Sequence, residues 1–385
     1  MRTSLVLYLV ALLMHELTGL DETVCILISG VFVAVYTVAG GIDAVIWTDV
    51  IQTVVLAAGS VLCLAVIVAA LPGGLAEIFT VAAEHQKFSL SSWVDGTLVP
   101  ISWGFDFGTK TGPLMILMSA TYFLTEYTTA QHFVQRYCAA RSTEQARRAL
   151  LVSVLVGMPT WLFYMFLGTA LFVFFQAFPA EEPARMLSGE IRPEAIVPYF
   201  VLNHLPPGVA GLVVAAALAA GMSSLDSSIN AIATVGVVDI YRRHAAPGRD
   251  DRHYLRVAWV IASMTSVAML VGANLLLQAE GRTLQDVSIR LTSLLGGGIL
   301  GIYLLGFLTR RGDARSVWGG VACTLAFTAW TVGVFPAAWT VPFDTYYTAF
   351  FGNVLMFAVG YALATLLPRR RLDLSGLTVI HSSRD

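Results

Sequence analysis

A run of small hydroxyl residues lies inside a long apolar stretch of this chain. Residues 221–243 read GMSSLDSSINAIATVGVVDIYRR. Helical spacing places Ser223 and Ser227 on one face, and Ser224 lies within one turn of both Ser227 and Ser228. Polar side chains inside a membrane are costly, so they are usually retained where they pair or line the path of an ion or a solute.

The hydroxyl oxygens of this face suit Na+, a hard cation that prefers oxygen ligands. Hydroxyl groups, together with carbonyl groups freed from a broken helix, can replace the water shell of the ion. The same stretch also suits close helix packing, because Gly221, Ser223, Ser224 and Ser227 are all small. The residues alone leave both interpretations open.

A second polar group surrounds Asp49 in residues 40–53, which read GGIDAVIWTDVIQT. The two glycines that open this stretch predict a turn, and Asp43 can cap the helix that follows. Asp49 lies further along that helix, with Gln52 and Thr53 on its own face at i+3 and i+4. An aspartate inside a membrane is a functional candidate by default, and the alternative is a carboxylate that caps a neighbouring helix.

A third polar face lies in residues 121–142, TYFLTEYTTAQHFVQRYCAARS, where Glu126 sits among aromatic and hydroxyl side chains. Such a face can line a solute pocket. Alternatively, the tyrosine and threonine side chains hydrogen-bond across helices, and Glu126 faces a water-filled vestibule. His132 is expected at the cytoplasmic end of the same helix.

The composition shows what kind of molecule must position these groups. Hydrophobic residues make up 57% of the chain and charged residues 12%, whereas soluble globules have about 25% charged residues. The sequence therefore predicts an integral membrane protein, with the lipid bilayer as a partner and no role for nucleic acid. Several apolar stretches reach the ~20 residues that a membrane helix needs, which predicts an all-α polytopic bundle rather than a barrel.

We predict about ten membrane spans from these apolar stretches. Their expected ranges are 3–20, 23–40, 44–71, 112–134, 149–177, 208–240, 255–279, 284–309, 315–338 and 345–368. Basic residues cluster in every second connection, so the positive-inside rule places those connections and both termini of this chain in the cytoplasm. The acidic segments 73–111 and 178–207 are expected outside, as short interfacial helices and turns.

Four segments of the chain resemble the sodium:solute symporter family in order and spacing. They read GGIDAVIWTDVIQ, QHFVQRYCAARS, AAGMSSLDSSINAIATVGVVDIYRR and LLGGGILGIYLLGFLTRR. The similarity covers almost the whole chain, to about Arg371. The resemblance implies a LeuT-like, APC-type fold of two inverted five-helix repeats that works by alternating access.

The resemblance also implies a division of the chain. Residues 1–371 are expected to form one transmembrane domain, followed by a cytoplasmic tail at 372–385. Within the domain we expect the remainder of the first repeat at 1–71, the second repeat at 112–309 and extra spans at 315–368. The resemblance implies about thirteen spans for a usual family member, so about three leading spans are expected to be missing. The chain as given is then expected not to transport alone, unless the working protein is longer than this sequence.

Individual residues acquire roles from the same resemblance. The main sodium site of the family maps to the carbonyl oxygen of Ala220 and to the hydroxyl groups of Ser223 and Ser224. The aspartate of the fifth core helix maps to Asp49, which is expected to support the cation site or its release path, with Ser227 near it.

The resemblance says less about a second sodium ion and about the identity of the solute. Asp226 stands where sialate-like members carry a serine, which leaves a second sodium ion open. The solute pocket maps to Phe123, Glu126 and Thr129. Gly157 occupies the position of a pocket lysine in sugar-transporting members, so galactose-like chemistry is not supported.

The expected function is Na+-coupled symport of a small polar organic solute, such as a sugar, a sialate-like acid or a carboxylate, across a bacterial inner membrane. Na+ is the coupling ion, and no other cofactor is expected. One alternative is a non-transporting remnant or subunit of a split symporter. Another is an intramembrane serine hydrolase built on Ser223 or Ser224. The later histidines His244, His253 and His381 are expected in cytoplasmic loops or the tail, which argues against a histidine base for either serine.

Overall fold

A computed structural model gives the fold of the chain. It describes residues 2–94, 97–188, 190, 195–277, 297–310, 312–331 and 341–367. Over these residues the chain is mostly helical, as predicted. The predicted segments 284–296, 332–338 and 372–385 lie outside the described residues.

The elements follow one another along the chain with short connections. In order, they are α1 (Arg2–Thr18), α2 (Glu22–Ala70), α3 (Gly74–Glu84), β1 (Ser91–Val94), β2 (Thr97–Pro100), α4 (Gly112–Thr129), α5 (Gln131–Cys138), α6 (Thr143–Ala177), α7 (Glu181–Ser188), α8 (Ile196–His204), α9 (Pro207–Val235), a π-helical continuation of α9 (Gly236–Ala245), α10 (Asp251–Leu277), α11 (Ile299–Leu308), α12 (Ala314–Thr331), a 3-10 turn (Thr345–Tyr347) and α13 (Thr348–Leu366).

Two compact units make up the chain, and each is described by itself. The first joins Met1–Ser89 with Ala140–Gly281, and the second joins Leu90–Ala139 with Arg282–Asp385. The predicted sodium ligands all belong to the first unit. The predicted solute residues all belong to the second.

Helix α2 contains a sharp bend. Gly41 has φ +59° and ψ −154°, a conformation that is essentially restricted to glycine. The side chains of Tyr36 and Gln52 interact across this point, although a straight helix would hold them roughly 24 Å apart. The chain therefore turns back at Gly41, where the glycine pair predicts a turn, and the two arms of α2 approach each other.

Close backbone contacts bring α1 and α2 against α9. A β-carbon added to Gly59 of α2 would lie 2.8 Å from the β-carbon of Ala216 in α9. A β-carbon on Gly221 would collide with the side chain of Val10 in α1. These glycines act as the small residues that let membrane helices pack tightly. The packing interpretation of the small-residue stripe therefore applies at Gly221.

The apolar core of the first unit lies where α2, α3, α6 and α8 meet. Its buried members include Ile67, Ile78, Phe174 and Phe200. The rings of Phe174 and Phe200 meet edge to face with their centroids 5.0 Å apart, a favourable arrangement for aromatic pairs. This core fixes the far end of α2 relative to α6 and α8.

In the second unit, α4 and α13 enclose a smaller core. Leu114, Met118 and Tyr347 are buried together, and the Tyr347 hydroxyl donates a 2.7 Å hydrogen bond to the carbonyl oxygen of Thr109. Strands β1 and β2 pair as an antiparallel hairpin, with Ser91 opposite Pro100. The segment 73–111 was expected to contain only helices and turns, so the hairpin is an addition to the predicted all-α fold. Its threonine and valine residues favour strands, but strands of four residues are too short to appear as apolar runs of membrane-spanning length.

Within the described residues, five helical stretches are long and apolar enough to cross a membrane by length and composition. They are Glu22–Ala70, Thr143–Ala177, Pro207–Ala245, Asp251–Leu277 and Thr345–Leu366. Two shorter apolar helices, Thr3–Thr18 and Ile299–Leu308, overlap further predicted spans. The stretches coincide with most of the predicted spans, and 23–40 and 44–71 form the arms of one bent helix.

The predicted span 112–134 is interrupted. Helix α4 ends at Thr129, and α5 begins at Gln131, because Ala130 has an extended conformation with φ −73° and ψ 119°. His132 therefore lies in the following helix and not at the end of the same one. The expectation of a continuous helix through this position was wrong.

Candidate functional site

Three predicted sodium ligands share one turn of α9. The hydroxyl group of Ser223 donates to the carbonyl oxygen of Ala220 at 3.0 Å, and that of Ser224 donates to the same oxygen at 3.4 Å. Serine hydroxyl groups in helices often bond back to carbonyl oxygens in this way. Three oxygen atoms are thus gathered at one point, which is the kind of ligand set that a hard cation needs.

Asp226 is fully buried, one turn beyond these serines. Its exposed fraction is 0%. One carboxylate oxygen, Oδ2, accepts a 2.8 Å hydrogen bond from the hydroxyl group of Tyr36 in α2. The other, Oδ1, accepts a hydrogen bond from the backbone N–H of Ser227. Among the described residues no cationic side chain forms an ion pair with Asp226.

Asp49 joins this group from the second arm of α2. Its carboxyl group is close enough to Asp226 to interact with it electrostatically, and Gln52 on the same arm reaches Tyr36. Thr53, expected on the same face, donates its hydroxyl hydrogen to the carbonyl oxygen of Asp49 at 2.7 Å. The bend of α2 therefore brings the carboxyl group of Asp49 close to that of Asp226 in α9.

Further polar atoms around this group are buried. Thr37 Oγ1, Gln52 Oε1 and Asn230 Nδ2 have no partner at hydrogen-bonding distance within the part of the chain that the structure describes. Buried polar atoms without partners are rare and costly, and they often mark the place of an ion or a water molecule. The hydroxyl, amide, carbonyl and carboxylate oxygens of this group fit Na+.

Tyr36 is the member of the site that sequence reasoning missed. It lies 190 residues before Asp226, on an apolar arm of α2 that carries no polar pattern. Its neighbour Thr37 is buried and polar, but neither residue belongs to the motif that begins at Gly40. A tyrosine five residues before a predicted turn was the only available signal.

The predicted solute residues lie at the end of α4. Phe123 is 42% exposed and stacks on Tyr127 with ring centroids 6.4 Å apart. Glu126 lies 3.4 Å from Nε2 of His132, because the break at Ala130 turns α5 so that His132 faces back. The hydroxyl group of Thr129 donates to the carbonyl oxygen of Thr125 at 2.8 Å. These side chains combine an accessible aromatic ring, a carboxyl group and an imidazole.

A helical membrane protein that gathers hydroxyl, carbonyl and carboxyl oxygens beside a bent helix has the features of an ion-coupled secondary transporter. Residues 2–322 match the sodium:solute symporter family. The chain belongs to that family. Na+ is therefore its coupling ion.

Named relatives and a solved structure agree with this assignment. The chain is 29% identical over 379 residues to the sodium/sialic acid symporter SiaT of Proteus mirabilis, covering 97% of this chain and 71% of the relative. It is 28% identical over 370 residues to the sodium/sialic acid symporter NanT of Aliivibrio fischeri, covering 95% and 68%. A solved Na+-coupled sialic acid symporter, in a substrate-bound outward-open state, matches with a TM-score of 0.81 and 27% identity over 96% of this chain and 72% of that one.

The family also contains relatives named for other solutes. The chain is 31% identical over 335 residues to the human sodium/iodide cotransporter, covering 85% of this chain and 49% of that protein. The family and these relatives are transporters, so the serine hydrolase alternative is excluded. The similarity to a solved symporter supports the predicted LeuT-like fold, and the chain is an integral membrane protein.

Proposed function

We propose that this protein takes up a small organic acid of the sialic acid type by Na+-coupled alternating access. The observation that carries the proposal is the meeting of the Ala220, Ser223 and Ser224 oxygens with buried Asp226 on one helix. Two relatives that align with nearly the whole chain are named for sialic acid, which supports an acid as the solute. The solute-facing helix of this chain also offers the hydroxyl and aromatic groups that a polyhydroxylated acid would contact.

The cation is held by residues of the first unit. The carbonyl oxygen of Ala220 and the hydroxyl groups of Ser223 and Ser224 bind Na+ directly. Asp49 and Ser227 support the same ion or its release path, since both lie beside Asp226. Na+ needs no carboxylate contact when enough neutral oxygens surround it, so Asp49 contributes through charge.

The solute is contacted by Phe123, Glu126 and Thr129 in the second unit. The exposed ring of Phe123 offers a flat apolar surface for the carbon skeleton of a sugar acid. Glu126 is an acceptor for solute hydroxyl or amide groups and would repel a carboxylate. His132, 3.4 Å from Glu126, reduces that repulsion when it is protonated.

The membrane arrangement follows the charge pattern. About ten spans, both termini of this chain in the cytoplasm and a bacterial inner membrane are consistent with the alternation of basic and acidic connections. Residues 1–71 then belong to the first inverted repeat, 112–309 to the second and 315–368 to extra spans. The two arms of α2 count as two of the spans, because the chain turns back at Gly41.

The charge of the solute decides what drives uptake. Moving one charge across 100 mV is worth ~2.3 kcal/mol. A singly charged acid that enters with one Na+ carries no net charge, so only the sodium gradient drives it. A second Na+ would add the membrane potential as a driving force.

The test is uptake of radiolabelled N-acetylneuraminate into native membrane vesicles, which contain the chain with any further spans or partner that it needs. Proteoliposomes that contain only the purified chain are the comparison. We expect accumulation with an inward Na+ gradient and none when choline replaces Na+. Unlabelled glucose should not compete. Uptake that does not depend on Na+ would contradict the proposal. Retained Na+ binding without any uptake would favour the alternative of a subunit that needs a partner.

A further inference from the structure

Within the first unit, Tyr36 joins the first arm of α2 to the polar stripe of α9. Its hydroxyl group lies 2.8 Å from Asp226 Oδ2, and its ring is half-buried. Asp226 is itself 0% exposed. A buried carboxylate that accepts a hydrogen bond from a fixed donor loses its rotational freedom, and hydrogen bonds to charged groups are among the stronger ones in proteins.

The effect of this contact extends to a candidate sodium ligand. Asp226 Oδ1 accepts the backbone N–H of Ser227, so the carboxylate connects Tyr36 to the backbone of Ser227. Ser223 lies one turn before Ser227 on the same face, and its hydroxyl group bonds to Ala220. The oxygens that would hold Na+ and the carboxylate that Tyr36 holds are therefore parts of one rigid helical segment.

The second arm of α2 approaches the same carboxylate. Asp49 interacts with Asp226 electrostatically, and like charges that are close together repel each other. Without a donor on Asp226, the carboxylate is free to rotate away from Asp49 and to pull on the backbone of Ser227. Tyr36 opposes this rotation.

We propose that Tyr36 is a positioning residue of the sodium site, which holds Asp226, and through it the Ser223 to Ser227 turn, in the geometry that binds Na+. The inference rests on the proposed function, because it concerns the cation site of the symporter. Tyr36 acts through Asp226 and does not touch the ion. The contact from the first arm of α2 thus influences the Na+ affinity of a site whose ligands lie on α9.

The test compares Tyr36→Phe with a matched control, Tyr164→Phe. Tyr164 is also a half-buried tyrosine whose hydroxyl group bonds α2, at 3.0 Å from Ser60 Oγ, but its partner is not one of the proposed residues of the sodium site. The purified full chain is titrated with NaCl at constant ionic strength in choline chloride. The rise in melting temperature then reports Na+ binding, since a ligand stabilises the state that binds it.

We expect Tyr36→Phe to raise the Na+ concentration of half-maximal stabilisation by about fivefold to twentyfold, and Tyr164→Phe to leave it within about twofold. Both variants lose one hydroxyl contact, so their melting temperatures without Na+ should fall by similar amounts. The inference would be overturned if Tyr36→Phe left the Na+ concentration of half-maximal stabilisation unchanged. It would also be overturned if both variants raised that concentration equally.

A double variant tests whether Tyr36 acts through Asp226. In the Asp226→Ala background, Tyr36→Phe should produce no further change in Na+ dependence, because the acceptor is already gone. Additive effects would show that Tyr36 acts by another route and would overturn the proposal. A wild-type chain with no Na+ response would contradict the proposed function itself, whereas a response that Tyr36→Phe leaves unchanged contradicts only this inference.

Discussion

At the scale of single residues, the small residues of α9 have two possible roles, helix packing and ion binding. The structure separates them by position. Gly221 faces Val10 so closely that no side chain fits, which is a packing role. Ser223 and Ser224 instead direct their hydroxyl groups to one carbonyl oxygen, and that convergence makes them testable as ligands.

Ser223→Ala should raise the Na+ concentration for half-maximal uptake by about tenfold, which corresponds to ~1.4 kcal/mol. The variant removes one oxygen ligand and creates little space. The matched control is Ser266→Ala in α10, since Ser266 is buried and bonds back to the carbonyl oxygen of Ala262 at 2.9 Å. Sodium-dependent uptake in proteoliposomes measures both. An equal response of the two variants would mean that Ser223 is only a helix-packing residue.

Asp49→Asn should raise the Na+ concentration that uptake needs, while the protein still folds. The amide keeps the shape of the side chain but removes the negative charge beside Asp226 that attracts the cation. Asp43→Asn is the control, because Asp43 is an exposed aspartate on the same arm of α2. Sodium titrations of uptake should separate the two, and a normal titration in Asp49→Asn would remove Asp49 from the site.

At the scale of elements, the bend of α2 is the feature on which the site depends. Both Tyr36 and Asp49 lie on this helix, on opposite sides of Gly41. A straight α2 would hold them roughly 20 Å apart, and the two could not both approach Asp226. The site therefore exists because one glycine adopts a backbone conformation that other residues avoid.

Gly41→Ala should lower the melting temperature of the protein by several degrees, because a β-carbon in this backbone region costs about 1–3 kcal/mol. No atom lies within 4 Å of the added β-carbon, so the loss would come from backbone strain and not from a clash. Gly157→Ala in α6 is the matched control. It also meets no atom within 4 Å, but its backbone is helical, so alanine should leave stability unchanged or raise it. Thermal unfolding in detergent compares the two, and equal melting temperatures would show that the strain at Gly41 is relieved elsewhere.

The sequence predicted these elements unevenly, for physical reasons. Apolar runs and glycine pairs are local signals, so the helical fold and the turn near Gly41 could be predicted. The break at Ala130 carries no proline or glycine, and its extended conformation depends on surrounding contacts. The partner of Asp226 could not be found at all, since Tyr36 is 190 residues away and nothing local to either residue indicates the contact.

At the scale of the whole molecule, the charge pattern predicts which ends of the helices face the cytoplasm. Cys138 is exposed at the end of α5, beside the basic run from Arg136 to Arg148. Cys25 and Cys63 are buried and should not react. The thiol of Cys138 can therefore be used to test whether this basic segment lies in the cytoplasm, as the positive-inside rule predicts.

In a Cys323→Ser background, a membrane-impermeant maleimide should label Cys138 in inside-out vesicles and not in intact cells. The opposite control is Glu84→Cys in a chain that also carries Cys138→Ser, because Glu84 is exposed in the acidic segment that is predicted to lie outside. That cysteine should be labelled in intact cells. Labelling of Cys138 from outside would reverse the proposed orientation of the chain.

The distance along the chain between Tyr36 and Asp226 also has a consequence during biosynthesis. At a synthesis rate of about 5–20 residues per second, the 190 residues between them take roughly 10–40 seconds to appear. During the later part of that interval α2 is complete with its tyrosine and its aspartate, but the carboxylate of Asp226 has not yet been made. The polar group that joins α2 to α9 can therefore form only after α9 has been synthesised.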